Sequence, residues 1–257
     1  MNQAHGRAQI ANRILLALPT PTFDRIKSDL ETVSLAKGQV IAPIGRPLRH
    51  VYFINSGIVS VVKTMQDGRS VEIGAIGIEG MTSAITLIGF DKTILEAVVQ
   101  IPGSAFRMSR DAAIRAMEND KAFSQIVHNH VRFALGQIAQ TAACNRLHHL
   151  KKRCCRWLLI AHDSALSDTF PLTHEFLAMI LGFQRSGVSI TLGSLRKAGL
   201  IEHKRGNITV TNRSGLEDAA CECYGAMRTE LDEFFGSHKQ LPTFRAEQSR
   251  EASRIAF

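Results

Sequence analysis

Acidic residues are in deficit, and several signatures that would assign a function at once are missing. The 257 residues hold 23 Asp and Glu against 31 Lys and Arg, a formal net charge of +8. No run of about 18 apolar residues is available to span a bilayer, so no membrane partner is expected. The opening MNQAHGRAQIANR lacks the apolar core of a signal peptide, and a cytoplasmic chain is the expectation. Neither a phosphate-binding loop, an HExxH motif nor a nucleophile motif occurs, which argues against an enzyme. No cysteine precedes Cys144; Cys144, Cys154, Cys155, Cys221 and Cys223 are an odd number, so reduced thiols are expected rather than a disulfide framework. Repeats and low-complexity segments are absent. The length suits two domains, and 45% apolar content is enough to give each an ordinary core.

What is present begins with the distribution of charge. Between Arg146 and Arg213 stand 11 Lys and Arg but four Asp and Glu, so nearly all of the net charge lies in this quarter of the chain. Phosphate contacts supply much of the affinity of DNA-binding modules, and double-stranded DNA is the expected partner; an anionic membrane surface is the competing one.

The same segment carries a pattern of helix, turn, helix and hairpin. Thr173 can cap a helix with Glu175 in its first turn, and Phe176, Leu177, Ile180 and Leu181 share one face. Gly182 permits a sharp turn. In the next helix Val188, Leu192 and Leu195 are the buried positions, which turns Gln184, Arg185, Ser186, Ser189 and Ile190 outward near its start. Arg185 suits a bidentate contact to guanine, Gln184 one to adenine, and the hydroxyls suit phosphates or bases. Gly199 closes this helix, and Ile201 to Thr211 reads as a hairpin whose tip carries Lys204 and Arg205. A plain helical hairpin with a polar face is the alternative; the wing and the charge weigh against it.

The first half is composed of short β-like runs: Gln39 to Ile41, Val51 to Ile54, Ile58 to Lys63, Ser70 to Ile76, Ala97 to Ile101 and Ala105 to Met108. Gly38, Gly45, Gly57 and Gly68 are expected to reverse the chain, with Asp67-Gly68 a hairpin signal. Helical patches are expected at Arg13 to Thr32 and Asp111 to Glu118. After Asn119 a long helix carries a stripe of Val127, Val131, Ala134 or Leu135, Ile138 and Ala142, which suits pairing with a second copy. A second stripe, Phe123, Ile126, Phe133 and Gln137, is expected to face the β domain. His128 and His130 are expected at a surface or interface.

Cys144, His148 and Cys155 fall on one helical phase at i, i+4 and i+11. Such spacing can hold a metal, but a fourth ligand is not evident and packing is the better account, so no metal is assigned. Cys221 and Cys223, two apart on an expected helix, cannot share a face.

Taken together, a glycine-punctuated β-roll, a long helix and a winged helix resemble the Crp/Fnr family of bacterial transcription regulators. The resemblance runs from about residue 13 to 235. It rests on Gly38-Gln39-Val40-Ile41, Gly45, Val51-Tyr52-Phe53-Ile54, Ser56-Gly57 and Asp67-Gly68, and on Gly182-Phe183-Gln184-Arg185-Ser186-Gly187-Val188. It implies an α+β protein, with a roll like a cyclic-nucleotide-binding domain at 13–118. A dimerisation helix at 119–145, a winged helix-turn-helix at 146–235 and a tail at 236–257 would follow. It also implies a sequence-specific regulator that acts as a homodimer, with recognition helices in successive major grooves and RNA polymerase as a protein partner. Arg185 matches the family's base-reading arginine. Ser186 replaces a common acidic reader and Ile190 a common arginine, so the operator is expected to differ.

The sensor half departs further. Where cyclic-nucleotide readers carry Gly-Glu and an arginine followed by a small residue, this chain has Glu79-Gly80-Met81 and Thr93-Ile94-Leu95-Glu96. A phosphate would lose its charge-assisted contact and meet carboxylates instead. The expected effector is therefore a different small molecule or none, and by family match its pocket would involve Gly77, Glu79, Gly80, Met81, Thr82, Ser83 and Thr93. No iron-sulfur cluster is expected, since that branch needs N-terminal cysteines. Two alternatives stay open: a roll protein acting through protein contacts, and a cyclic-nucleotide regulator with an atypical phosphate site. A signal in the roll is expected to shift the long helix near Asn145 to Leu147.

Overall fold

The computed structural model describes residues 9–236. Most of the opening segment read for a signal peptide, and the tail from residue 237 on, lie outside the described residues.

The chain enters through α1 (Arg13–Ala17) and α2 (Thr20–Ile26). Asn12 caps α1 by accepting from the Leu15 N–H at 3.1 Å. The helical patch expected to reach Thr32 stops short, because a 3-10 turn at Lys27–Asp29 leads into strand β1 (Glu31–Leu35). Thr32 and Val33 are β-branched, and β5 (Glu96–Ser109) supplies their ladder partners, Phe106 and Ala105.

Strands β2 (Val40–Ala42), β3 (His50–Thr64) and β4 (Ser70–Ile76) complete an antiparallel sheet in the order β1-β5-β3-β4, with β2 also paired to β5. Asp67-Gly68 forms the β3–β4 hairpin. Gly57 departs from expectation: it does not reverse the chain but sits inside β3, so the runs Val51 to Ile54 and Ile58 to Lys63 are one strand. Its φ of +85° and the register shifts from Ile54 to Val59 mark a bulge, which bends a strand without ending it. A side chain there would collide with the Ile101 carbonyl of β5. For the same reason Ala97 to Ile101 and Ala105 to Met108 are continuous within β5.

One face of the roll packs Val51, Phe53, Phe106 and Met108 against Ile14, Leu15 and Phe23. α3 (Arg110–Asn119) follows, and then α4 (Lys121–Leu147), whose 27 residues span about 40 Å. Asp120 caps α4 by accepting from the Ala122 and Phe123 N–H groups. The inner stripe behaves as expected, with Phe123, Phe133 and Gln137 buried. The outer stripe does not hold along its full length. Val127 is fully buried in the roll core, whereas Leu135 is 68% exposed and Ala142 is exposed, so the unpartnered face belongs to the second half of α4.

After a break at His148-His149 come α5 (Leu150–Ala165), β6 (Thr169–Pro171), α6 (His174–Leu181) and α7 (Arg185–Lys197). β7 (Ile201–Lys204) and β8 (Asn207–Val210) form the wing, α8 (Arg213–Ala219) follows, and α9 (Cys223–Phe235) runs back toward α4 and α1. Trp157, Leu177, Ile180, Val188, Leu192, Leu195, Ile201 and Ile208 share one core with Ile58, Ala75 and Ile101 of the roll. The two halves are thus packed on each other directly. At this seam Trp157 donates its Nε1–H to Glu72 Oε1 at 2.9 Å, and Ser60 donates to the same carboxylate. Burial pushes the Glu72 carboxyl up to about 7, against the opposing pull of these two hydrogen bonds. Among the described residues no single helix is long and apolar enough to cross a membrane.

Candidate nucleic-acid interface and sensor cavity

Local chemistry explains how α6 and α7 are set. Thr173 caps α6, its hydroxyl accepting from the Phe176 N–H at 3.2 Å. Gly182, at φ +58°, ends α6 in the left-handed conformation that a non-glycine residue adopts at a cost. The chain then bends by 110° into α7, within the range of helix-turn-helix units. Gln184 occupies the cap position of α7, just outside the helix, and Arg185 is its first residue. Val188, Leu192 and Leu195 are buried as expected.

Gln184, Arg185, Ser186 and Ile190 are exposed on the outer face, Ile190 at 75%. Ser189 is different: it is half-buried, and its Oγ lies 2.8 Å from His174 Nδ1 on α6. His174 Nε2 in turn lies 3.3 Å from His203 Nδ1 on β7, so α6, α7 and the wing are joined beside the outer face. Neither histidine stands out in the sequence, because 29 residues separate them. Burial, then His203 and Arg185, lower the His174 pKa. At the wing tip Arg205 and Gly206 both have positive φ, +50° and +78°, the geometry of a two-residue hairpin that follows strand twist. Lys204 and Arg205 are exposed there.

The sensor half holds a cavity of about 280 Å³ between the roll and α4. Glu79, Met81, Thr82, Ser83 and Thr93 line it, five of the seven residues proposed from sequence. Gly77 and Gly80 do not. A Cβ on Gly77 would run into Ser164 of α5, and one on Gly80 would come within 2.8 Å of Ile76 and 3.0 Å of His130. These glycines let other elements approach closely. Among the described residues no Lys or Arg lines the cavity; its acidic groups are Glu79 and Glu96, and the rest of its wall is chiefly apolar, from Ala42 to Ile138. Glu79 accepts from the Gly77 N–H at 2.8 Å, and its carboxyl is raised by burial.

His130 belongs to this wall and not to a surface. It is buried, and its Nε2 lies 3.0 Å from the Met81 carbonyl. Burial lowers its pKa to about 4, so the ring is neutral. His128 is exposed, as expected.

The cysteine pattern also differs from the expectation. α4 ends at Leu147 and α5 begins at Leu150, so Cys144, His148 and Cys155 do not share one helical phase. Cys221 stands just before α9 and Cys223 is its first residue, and both are buried beside Cys144.

An exposed recognition helix, a basic wing and a roll coupled to them through a shared core define a DNA-binding transcription regulator. Likeness to known proteins gives the family. Residues 32–120 match the cyclic nucleotide-binding domain, and residues 152–219 match the Crp-like helix-turn-helix domain. The chain belongs to the Crp/Fnr family, and it is a transcription regulator and not an enzyme.

Solved structures share the fold. A Crp/Fnr regulator from Eubacterium rectale aligns with a TM-score of 0.61 at 18% identity, over 80% of this chain and 96% of its own. A CRP-family regulator from Thermus thermophilus aligns at 0.62 and 23%, over 73% and 96%. FixK2 from Bradyrhizobium japonicum aligns at 0.61 and 19%, over 75% and 98%. Among curated proteins none matches the chain.

Proposed function

We propose that the protein is a cytoplasmic homodimer that reads a partly palindromic DNA site and couples it to a small effector held in the roll. The exposed row Gln184, Arg185, Ser186 and Ile190, flanked by Lys204 and Arg205, carries this reading. Arg185 at the start of α7 contacts a guanine edge, Gln184 and Ser186 contact neighbouring bases, and Ile190 packs on a thymine methyl. Ser189 acts with His174 to hold the helix at its angle. The capped α6 start at Thr173 and the cations at Lys204 and Arg205 meet phosphates. Dimer contacts fall on the second half of α4, where Leu135 and Ala142 are uncovered.

The expected domain bounds, 13–118, 119–145 and 146–235, describe a sensor, a dimer helix and an output module. α9 crosses this division by returning to α4. Effector binding at Met81 reaches α4 through His130, and motion of α4 changes the separation of the two recognition helices. With carboxyl groups and, among the described residues, no cation in its wall, the cavity suits a small neutral and largely apolar molecule better than a cyclic nucleotide. RNA polymerase is the partner through which bound protein acts on transcription.

Binding of the full chain to a site selected from random duplexes, followed by fluorescence anisotropy, tests the DNA reading. Arg185→Ala should weaken the selected site by about 1–3 kcal/mol and relax one base position. Lys204→Ala and Arg205→Ala should weaken all duplexes alike, each reducing the salt slope by about 1. If the triple variant binds as tightly as the parent with no salt dependence, the winged helix contacts protein instead. Native mass spectrometry of retained ligands tests the sensor, and a retained cyclic nucleotide would overturn the neutral-effector assignment.

A further inference from the structure

Four side chains outside both sites converge where α4, α5 and α9 meet. Cys144 and His148 come from the last turn and cap of α4, and Cys221 and Cys223 from the start of α9. One ligand atom from each lies within 4.8 Å of all the others. The Cys144 and Cys221 sulfurs are 3.6 Å apart, and Cys223 Sγ is 3.5 Å from His148 Nδ1. Zinc–sulfur bonds of about 2.3 Å and a zinc–nitrogen bond of about 2.0 Å, arranged as a tetrahedron, place neighbouring ligands roughly 3.5–3.8 Å apart. Both distances fit those edges.

The surroundings fit an ion as well. His148 directs its other nitrogen, Nε2, to Glu222 Oε1 at 3.1 Å, the carboxylate–histidine arrangement that orients a metal-binding imidazole. Gln140 donates Nε2–H to Cys223 Sγ at 3.0 Å, which suits a thiolate. Arg153 on α5 is buried at 7% exposure, and its Nε has no hydrogen-bond partner among the described residues. A buried guanidinium needs a compensating anion, and three thiolates on a divalent cation leave a net charge of −1. Arg156, also on α5, is buried too, and its Nε likewise has no partner among the described residues.

We propose that Cys144, His148, Cys221 and Cys223 form a Cys3His zinc site that fastens α9 to the end of α4. The ligand set favours zinc because it is soft, closed and four-coordinate, with no position left open for substrate. Loading releases the protons still held by the thiols and changes no oxidation state. The site flanks the break at His148-His149, the joint between α4 and the output module. Arg153 carries the connection onward, since its Nη2 donates to the Leu181 carbonyl at the end of α6. An occupied site therefore fixes one setting of the joint and couples metal supply to the position of the recognition helix.

The experiment uses the full chain purified under reducing, oxygen-free conditions. Elemental analysis should find about one zinc per chain, and cobalt exchanged into wild-type protein should show thiolate charge-transfer and tetrahedral d–d absorption. Cys221→Ser and Cys223→Ser should lose the metal, Cys154→Ala should keep it, and Glu222→Gln should weaken affinity by about 10–100-fold. Circular dichroism separates metal loss from unfolding, and the cobalt spectrum needs no variant. Wild-type protein that takes up neither zinc nor cobalt, or a Cys144–Cys221 disulfide in protein that holds no metal, would overturn the site. These readouts are independent of DNA, so their failure leaves the DNA reading standing.

Discussion

The proposed DNA-reading face is drawn from one continuous stretch, Thr173 to Arg205, while the roll cavity takes its walls from segments as far apart as Ala42 and Ile138. The two also differ in character. Arg185, Lys204 and Arg205 are cationic and exposed, as a partner with a regular polyanionic backbone requires. The cavity is apolar, holds Glu79 and Glu96, and has a neutral buried His130 in its wall. A ligand that must be enclosed is selected by what it is desolvated against, whereas one that stays in solvent is met by long-range charge. The comparison teaches that the two halves of this chain rest on different physics and meet through a shared core and one buried hydrogen bond, from Trp157 to Glu72.

Trp157 is the place to break that meeting. It is 1% exposed, sits in a core that includes Ile58 and Ala75 of the roll, and donates to Glu72. Trp157→Ala should cost roughly 3–5 kcal/mol. Denaturant unfolding followed by two probes, one in each half, should show a single transition moving to lower denaturant. Two separated transitions in the parent protein would show instead that the halves are independent.

Glu72 sharpens the same seam through pH. Its carboxyl rises from an ordinary 4.5 to about 7 on folding, so the folded state holds a proton that the unfolded chain releases between those values. The associated stability is fully present below pH 4.5 and is lost as pH rises through 7, an effect of about 3 kcal/mol. Glu72→Gln should remove this slope and raise stability at pH 8. Equal pH profiles for parent and variant in chemical denaturation would refute it.

A smaller effect is expected at the edge of the output module. Thr173→Ala removes the α6 cap and should cost about 1 kcal/mol. Hydrogen exchange should quicken at the first turn of α6 while the sheet of the roll stays protected. Spread of the effect into β3 and β5 would mean that the two regions are coupled more tightly than their shared core implies.

Much of the output half was legible in sequence because its signals are local. Thr173 caps, Gly182 turns, and Val188, Leu192 and Leu195 repeat at helical spacing, so the outward residues follow by exclusion. Ser189 escaped because its partner, His174, is brought to it by folding. In the roll the signals misled where a bulge imitates a turn, as at Gly57, and where helical spacing ran on into β1 at Thr32. The cavity was legible in part: five of the seven expected residues line it, but Gly77 and Gly80 serve close packing against Ser164 and His130.

The sequence by itself determined the architecture and the helix-turn-helix with its exposed face, since each depends on residue identity and short-range periodicity. Tertiary structure alone decided that Glu72 and Trp157 share a buried bond across 85 residues. It alone brought Cys144 and His148 to Cys221 and Cys223, because α4 breaks after Leu147 and α9 folds back upon it. Spacing along a chain cannot report such meetings. They are fixed by which faces must be buried together, and that is a property of the whole core.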